Sequence, residues 1–225
     1  MNDLTIELNI ALLPSRALAG RLTAVSEEFA ARYPATVRLG DGASRLSLAP
    51  HLTLYQVPVP VADLRQLHEG LHKIAQAKVN FTLACTGLAY NAGEASLEAR
   101  TQAPGALVAL QGAVIDLANP IRGDLLLDRD PAGNRVAGLQ DSAGILGDNV
   151  RRTGYAEVGD PRAGGLFRPH DTLNWFEPGT VIDAERESRV IDMAVLGGQY
   201  PALGLFALGP YGTCPQLLAR YEFEA

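Results

Sequence analysis

Two short stretches of the sequence place a histidine two residues before a threonine. The first contains His51 and Thr53, and the second contains His170 and Thr172. Each histidine follows a proline, and each threonine precedes a leucine. Residues i and i+2 of a β-strand project to the same face, so each stretch would present an imidazole beside a hydroxyl. Because the pattern occurs once in each half of the chain, we favour a functional role over two coincidental pairs of half-buried residues.

Two imidazoles that face one cleft can divide acid–base work between them. A neutral histidine removes a proton from water or a ribose hydroxyl, while a protonated histidine gives a proton to the leaving oxygen. Threonine hydroxyls can donate hydrogen bonds to the non-bridging oxygens of a phosphodiester, where charge accumulates in the transition state. This scheme needs no metal ion, and we expect no cofactor. His51 and His170 are therefore the predicted acid–base pair, with either one as the base, and Thr53 and Thr172 the predicted phosphate ligands.

Two further residues are secondary candidates for substrate binding. Arg168, two residues before His170, could neutralise a phosphate, and the alternative is a solvated surface arginine. Tyr55 alternates onto the face of His51 and could stack on a base, and the alternative is a structural role. Trp175 alternates onto the opposite face of its strand, so we expect it in the core.

The elements that must position these residues are strands and amphipathic helices. Apolar spacing predicts helices that begin after Ser15, near Leu64 and at residue 105. Turns are predicted at residues 40–42 and 91–94, and Pro58 and Pro60 would end the strand of the first motif. Strands are predicted at residues 4–13, 51–57, 79–90, 96–101, 172–176, 190–196 and 217–223. The fold class is α+β with mostly antiparallel sheets.

The composition is that of an ordinary globular protein. The chain has 225 residues, of which 47% are hydrophobic and 20% charged, and its formal net charge is −6. A chain without a basic stripe is not expected to grip long duplex nucleic acid. No apolar run could span a bilayer, and no secretory signal opens the sequence. Cys85 and Cys214 match no metal or redox spacing, so we expect a reducing, cytoplasmic location. We also expect a monomer with no membrane partner.

The tandem motifs, one on a strand in each half of a chain of this size, resemble those of the 2H phosphoesterase superfamily. The nearest branch is the bacterial 2′-5′ RNA ligase-like proteins, also described as RNA 2′,3′-cyclic phosphodiesterases. Segments 9–12, 167–170 and 217–221 agree with the resemblance. It implies one bilobal domain over residues 1–225, with two pseudo-symmetric lobes of antiparallel sheet and helices around a central cleft.

The resemblance also implies an activity and a ligand. The expected reaction is metal-independent hydrolysis or transfer at a 2′,3′-cyclic phosphate or a 2′-5′ linkage of a small nucleotide or RNA end. His51 and His170 would be the acid–base pair, and Thr53 and Thr172 would bind the phosphate. The sequence departs from the family at Asp171, where an apolar residue is usual, and in the polar segment 123–165, which is longer than a minimal member needs. That segment would hold loops and a short helix and could select the substrate.

Two alternatives from other functional classes stay open. Residues His68-Glu69-Gly70-Leu71-His72 match the zinc-peptidase pattern H-E-x-x-H, which places two histidines on one helix face. The sequence offers no clear third ligand, so two boundary histidines on an amphipathic helix are the favoured interpretation. The second alternative is a non-catalytic module that binds nucleotides or RNA ends in the same cleft.

Overall fold

The computed structural model describes residues 4–40, 47–78 and 80–224 and contains strands and six α-helices in those ranges. The strands are β1 (Thr5–Leu13), β2 (Ala35–Leu39), β3 (Ser47–Leu48), β4 (Leu52–Pro60), β5 (Phe81–Leu83), β6 (Cys85–Asn91), β7 (Ser96–Thr101), β8 (His170–Phe176), β9 (Gly198–Tyr200), β10 (Ala202–Ala207) and β11 (Gln216–Glu222). The helices are α1 (Arg16–Arg32), α2 (Leu64–Gln76), α3 (Gly105–Arg122), α4 (Val136–Leu139), α5 (Ile145–Thr153) and α6 (Ala184–Val190).

A large sheet carries the two motifs on its central strands. Its strand order is β11-β10-β1-β4-β8-β2-β3, and β7 and β6 extend it from the other edge of β8. The strands pair antiparallel except for β2 and β3, which pair parallel. Strands β5 and β9 form a separate antiparallel pair. The expected α+β class with mostly antiparallel sheets is confirmed.

Two helices pack behind the motif strands and bury their apolar faces there. Helix α1 begins after Ser15, whose hydroxyl accepts a hydrogen bond from the Leu18 amide at 3.3 Å, and it packs against β2 and β8. Helix α3 packs against β4. The apolar stripe of α1 is fully buried at Leu18, Leu22 and Phe29. Each motif strand is thus held by one helix against the main core.

Some predicted elements were wrong. Residues 190–196 are not a strand but the end of α6 and a single turn at Met193–Leu196. Aspartate caps favour helical turns here over a strand. The carboxylates of Asp183 and Asp192 each accept a hydrogen bond from a backbone amide of the turn that follows. Strand β4 does not stop at Pro58 but continues to Pro60, paired with β1. Beyond Leu52 its other edge has no partner strand in the described residues, and such open edges tolerate proline.

Strand β10 was missed because its glycine suggests a turn. A Cβ at Gly204 would lie 2.5 Å from the Phe206 ring, so this glycine marks close packing within the strand. Of the predicted positions, Asp41, Gly42 and Val79 lie outside the described residues. No helix in the described ranges is both long and apolar enough to cross a membrane.

The polar segment 123–165 has more structure than the sequence predicted. It contains α4 and α5, which close over a small apolar cluster of Leu127, Val136 and Val150. This cluster is separate from the main core. All three residues also line the cleft described below. The segment therefore forms one wall of the cleft.

Candidate active site

The cleft begins where the two motif strands meet. Among the described residues, β4 and β8 pair at one position, between Leu52 and Asp171, the central residues of the two motifs. Because the strands are antiparallel, this register brings the histidine of each motif toward the threonine of the other. Beyond that position the strands diverge. The two histidines and two threonines, His51, Thr53, His170 and Thr172, all line the cleft between them.

Both histidine rings are oriented by the same kind of hydrogen bond. Nδ1 of His51 lies 2.9 Å from the carbonyl oxygen of Ala49, and Nδ1 of His170 lies 2.7 Å from the carbonyl oxygen of Arg168. A carbonyl oxygen can only accept, so Nδ1 carries the hydrogen in both rings. Nε2 is therefore the nitrogen that each ring can use to accept or donate a proton at the cleft, and the His51 ring also has a backbone hydrogen bond with Gly212.

Both motif strands also contain a β-bulge at the same place. The extra residue is Leu54 in β4 and Leu173 in β8, the third residue after the histidine in each case. A bulged residue loses its ladder partner, and its buried carbonyl needs another one. Gln111 of α3 donates from Nε2 to the Leu54 carbonyl at 3.1 Å, and Ser26 of α1 donates from Oγ to the Leu173 carbonyl at 2.8 Å. The two halves thus use the same local structure.

The bulges change which residues face the cleft. Tyr55 does not share the face of His51: it is fully buried and donates its hydroxyl hydrogen to the Thr153 carbonyl at 2.5 Å. The prediction that Tyr55 lines the cleft was therefore wrong, and the next residue, Gln56, lines it instead. In the same way Trp175, predicted to face the core, lines the cleft although only 6% of its surface is exposed.

The two imidazoles have opposite pKa shifts. Burial lowers the pKa of His51, and the positive charge of His170 lowers it further. The ring of His51 packs 5.9 Å from that of Phe206. Burial also opposes the charged form of His170, but the charges of Glu98, Glu157 and Asp171 and the hydrogen bond to the Arg168 carbonyl together outweigh it, so the pKa of His170 is raised. In the pH range between the two pKa values, a neutral His51 lies beside a protonated His170.

The charged side chains around His170 were not found from the sequence. Glu98 lies on β7, where it pairs in register with Thr172, and its carboxylate is 3.0 Å from the guanidinium of Arg100. Glu157 comes from the polar segment, and burial raises the pKa of its carboxyl group. Glu98 reaches this position through the pairing of β7 with β8, and Glu157 through the folding of the polar segment. No local motif could therefore have indicated the cluster. Arg168, predicted from the sequence, does line the cleft and is exposed to solvent.

Thr53 is held by a buried amide. Asn9 on β1 donates from Nδ2 to Thr53 Oγ1 at 3.0 Å, and Asn9 is fully buried. This hydrogen bond occupies an acceptor position of the hydroxyl, so the hydrogen of Thr53 is free to point to a ligand. The same amide lies 3.4 Å from the carbonyl oxygen of Gly212. Asn9 was part of a segment that supported the family resemblance but was not itself predicted to touch the site.

Asp171, where the sequence departs from the family, has a local hydrogen-bond partner. It is fully buried, and the hydroxyl of Tyr200 donates to its Oδ2 at 2.5 Å. Burial raises the pKa of Asp171 to about 6, although the Tyr200 hydrogen bond and the charge of His170 act in the opposite direction. The other carboxylate oxygen, Oδ1, is buried and has no hydrogen-bond partner among the described residues. Asp171 is therefore an electrostatically costly residue directly behind the second motif.

The H-E-x-x-H residues lie on α2 and do not line the cleft. Nδ1 of His68 is 2.8 Å from the hydroxyl of Tyr221, and the two rings pack with their centroids 5.2 Å apart. His72 is exposed. Across the described ranges, no three His, Cys, Asp or Glu side chains are grouped so that they could hold a metal ion.

Comparisons with known proteins identify the fold. No family model matches the chain, and no curated protein matches it. Solved structures match over nearly the whole length. The protein TT0787 of Thermus thermophilus is similar with a TM-score of 0.61 at 16% identity, covering 97% of this chain and 98% of that one. A structure described as a phosphoesterase gives a TM-score of 0.57 at 16% identity, covering 99% and 100%.

The LigT protein of E. coli is also similar. Its apo structure gives a TM-score of 0.55 at 16% identity, covering 98% of this chain and 99% of LigT. Other LigT structures contain NADP+, phosphate, 3′-AMP or ATP. At these identities the comparison establishes the fold, and the LigT-like fold implied by the tandem motifs is confirmed.

Proposed function

We propose that this chain, which shares its fold with LigT and with a phosphoesterase structure, is itself a phosphoesterase of the 2H type. Its substrate would be a 2′,3′-cyclic phosphate or a 2′-5′ phosphodiester of a nucleotide or an RNA end. The nucleotides bound in the LigT structures support a ligand of this class. The proposed chemistry needs no metal ion, and the whole bilobal chain would form the catalytic unit.

One observation carries the proposal: two imidazoles present Nε2 to one cleft, and their pKa values are shifted in opposite directions. His51 is disposed to be neutral and His170 to be protonated. General base and general acid are therefore available at the same pH. This split also assigns the roles that the sequence left open. In the hydrolytic direction, His51 is the base and His170 is the acid.

The steps of hydrolysis follow from this assignment. Nε2 of His51 takes a proton from water while the water oxygen forms a bond to phosphorus. The phosphorus–oxygen bond to one ribose oxygen breaks, and that oxygen takes the proton from Nε2 of His170. Proton exchange with solvent then restores a neutral His51 and a protonated His170. In the reverse direction the two histidines exchange roles.

The remaining cleft residues would stabilise the phosphate. The hydroxyls of Thr53 and Thr172 would donate to its non-bridging oxygens, where negative charge increases in the transition state. The hydrogen bond from Asn9 supports this role for Thr53, because it leaves the hydroxyl hydrogen available. Arg168 lines the cleft as a cation that could approach the phosphate. These contacts would orient the ester bond between the two imidazoles.

The direct test is turnover of a panel of 2′,3′-cyclic nucleotides and of a short RNA with a cyclic phosphate end, measured in EDTA. We expect activity in the wild type and a loss of at least about 100-fold in His51→Ala and in His170→Ala. His72→Ala, which removes an exposed histidine outside the cleft, is the matched control and should retain full activity.

The outcomes separate the alternatives. Activity that disappears in EDTA and returns with zinc would contradict the metal-independent scheme. Binding of these ligands without turnover, in a folded wild-type protein, would favour a nucleotide-binding module. Activity that survives removal of either cleft histidine would show that the acid–base pair is not the one proposed.

A further inference from the structure

A pair of aromatic side chains stands beside the catalytic residues. The ring centroids of Trp175 and Tyr211 are 5.3 Å apart, with an angle of 37° between the ring planes. Both side chains line the cleft together with His170 and Thr172. Together they are called the aromatic ridge below. None of the proposed proton transfers uses either residue.

The ridge is close enough to the phosphate site to take another part of the same ligand. Trp175 is three residues beyond Thr172 on β8, which is about 10 Å at the usual rise of a strand. The bulge at Leu173 turns Trp175 to the cleft, where regular alternation would have placed it on the opposite face. A ribose and its base, attached to a phosphate held at Thr172, would extend over this distance.

Tyr211 presents its ring to solvent at a cost in backbone energy. It is 57% exposed, and its φ angle is +60°, in the left-handed region that side chains other than glycine seldom adopt. Its turn is fixed on both sides: the Thr213 hydroxyl donates to the Pro210 carbonyl at 2.7 Å, and the Gly209 amide donates to the Thr213 carbonyl at 2.9 Å. An exposed aromatic ring held in this way is a prepared contact surface.

Carboxyl groups and arginines, among them Arg38 and Arg168, both line the cleft that contains the ridge. Glu94 lines the cleft and also a shallow groove on the far side of the ridge, which Trp175 and Tyr211 line as well. Burial and the carboxylates of Glu98 and Asp130 raise the pKa of Glu94. A flat uncharged ring could stack on Tyr211 whatever the charge of these groups.

We propose that the aromatic ridge is a nucleobase subsite. The base of the nucleotide whose phosphate lies between the two motifs stacks on the exposed face of Tyr211, and Trp175 supports that ring from behind. The substrate class is therefore the nucleoside cyclic phosphates, not cyclic phosphates of sugars that lack a base. This inference rests on the proposed function for the position of the phosphate and adds the part that recognises the base.

The kinetic test compares two substrates with the same reacting group. These are 2′,3′-cyclic AMP and methyl ribofuranoside 2′,3′-cyclic phosphate, which has no base. Stacking of one base corresponds to about 5- to 150-fold in kcat/KM, so the wild type should prefer cyclic AMP by a factor in this range. Tyr211→Asn removes the ring but suits the left-handed backbone, and it should reduce the preference to under about threefold. Tyr211→Phe should retain it.

A binding test works even without turnover, because Trp175 is the chain's one tryptophan. Adenosine 3′-monophosphate and inorganic phosphate are titrated separately while the tryptophan fluorescence is followed. We expect the nucleotide to change the fluorescence of the wild type and of Tyr211→Phe at a lower concentration than of Tyr211→Asn. Inorganic phosphate should give no such difference between the variants.

The two tests separate this subsite from the proposed function. A base-dependent fluorescence change without turnover would support the subsite and contradict the catalytic function. Turnover with equal kcat/KM for both substrates, or an undiminished preference in Tyr211→Asn, would overturn the subsite and leave the function standing. A wild-type protein that binds neither ligand would overturn the subsite as well.

Discussion

The His51 half and the His170 half of the cleft are built alike but charged differently. In each, a histidine donates from Nδ1 to the carbonyl two residues earlier, and a bulge follows at the third position after it. The neighbouring strand differs. Thr53 pairs with Ala11 of β1, whereas Thr172 pairs with Glu98 of β7. An apolar neighbour in one half and a carboxylate in the other contribute to the opposite pKa shifts of the two histidines.

This comparison separates geometry from electrostatics. The repeated backbone places two equivalent imidazoles at one cleft. This geometry alone would give the two rings similar pKa values. Acid–base catalysis needs two different protonation states at one pH. Glu98 and the Glu157 carboxylate from the polar segment supply that difference on one side only. The symmetry of the fold therefore provides the positions of the two imidazoles, and its asymmetry would provide the two protonation states that the proposed catalysis needs.

Among the changes that compare the two halves, the largest effect is expected from removing the threonine hydroxyl that would donate a hydrogen bond to the phosphate. Thr53→Val and Thr172→Val should each lower kcat/KM for a 2′,3′-cyclic nucleotide by about 100-fold, because a transition-state hydrogen bond is lost. The matched Thr→Ser variants keep the hydroxyl and should lose much less. If only one of the valine variants lost activity, the two halves would not share the phosphate as this account requires.

A second prediction concerns Asp171 and Leu52, which occupy equivalent positions and pair with each other. The pKa of Asp171 is raised in the folded state to about 6 from 3.8, so the folded protein binds this proton more tightly than the unfolded chain does. Wild-type stability should therefore fall as the pH rises from about 4 to 6 and remain lower above 6.

Asp171→Asn removes this titration. Its free energy of unfolding, relative to the wild type, should increase by about 2 kcal/mol between pH 4 and pH 7.5. Urea unfolding at both pH values measures the change, and Asp116→Asn on the exposed face of α3 is the control. A difference that does not vary with pH would mean that Asp171 is not desolvated in the folded protein.

A third prediction changes the charge of one half only. Glu98→Gln removes a carboxylate that raises the pKa of His170, so the alkaline limb of the pH–rate profile should move to lower pH. The acid limb, set by His51, should stay in place. Glu69→Gln, on the surface of α2, should move neither limb. A shift of the acid limb alone would assign the roles of the histidines the other way round.

The smallest effect is expected outside the cleft. His68→Gln should change turnover by less than about twofold, because His68 contacts Tyr221 and not the cleft residues. Elemental analysis of the purified wild type should find no stoichiometric zinc. Zinc bound in a one-to-one ratio and lost in His68→Gln would revive the metallopeptidase alternative.

Local pattern was sufficient to predict much of the fold and the two motifs whose histidines and threonines line the cleft. The motif strands, the cap of α1 at Ser15 and the hairpin of β6 and β7 follow from alternation, capping and turn residues within a few positions. The LigT-like fold was implied by the family resemblance of the two motifs that contain His51 and His170. These features depend on short-range chemistry that a sequence carries explicitly.

The features that could not be predicted depend on contacts between distant residues. The bulges place Gln56 and Trp175 in the cleft and remove Tyr55 from it, and they are supported by Gln111 and Ser26 on helices far away in sequence. Alternation carries no sign of such a register shift. The carboxylates near His170 come from a neighbouring strand and from the polar segment, so their effect on its pKa exists only in the folded chain.

The measurement that tests the central claim most directly is a pH titration of the histidine ring resonances by NMR, assigned by substituting one histidine at a time. The account predicts that His170 titrates above 6.5 and His51 below 6.5, with His170 always the later of the two to lose its proton as the pH rises. Coincident midpoints, or His51 above His170, would contradict the assignment of base and acid to the two halves.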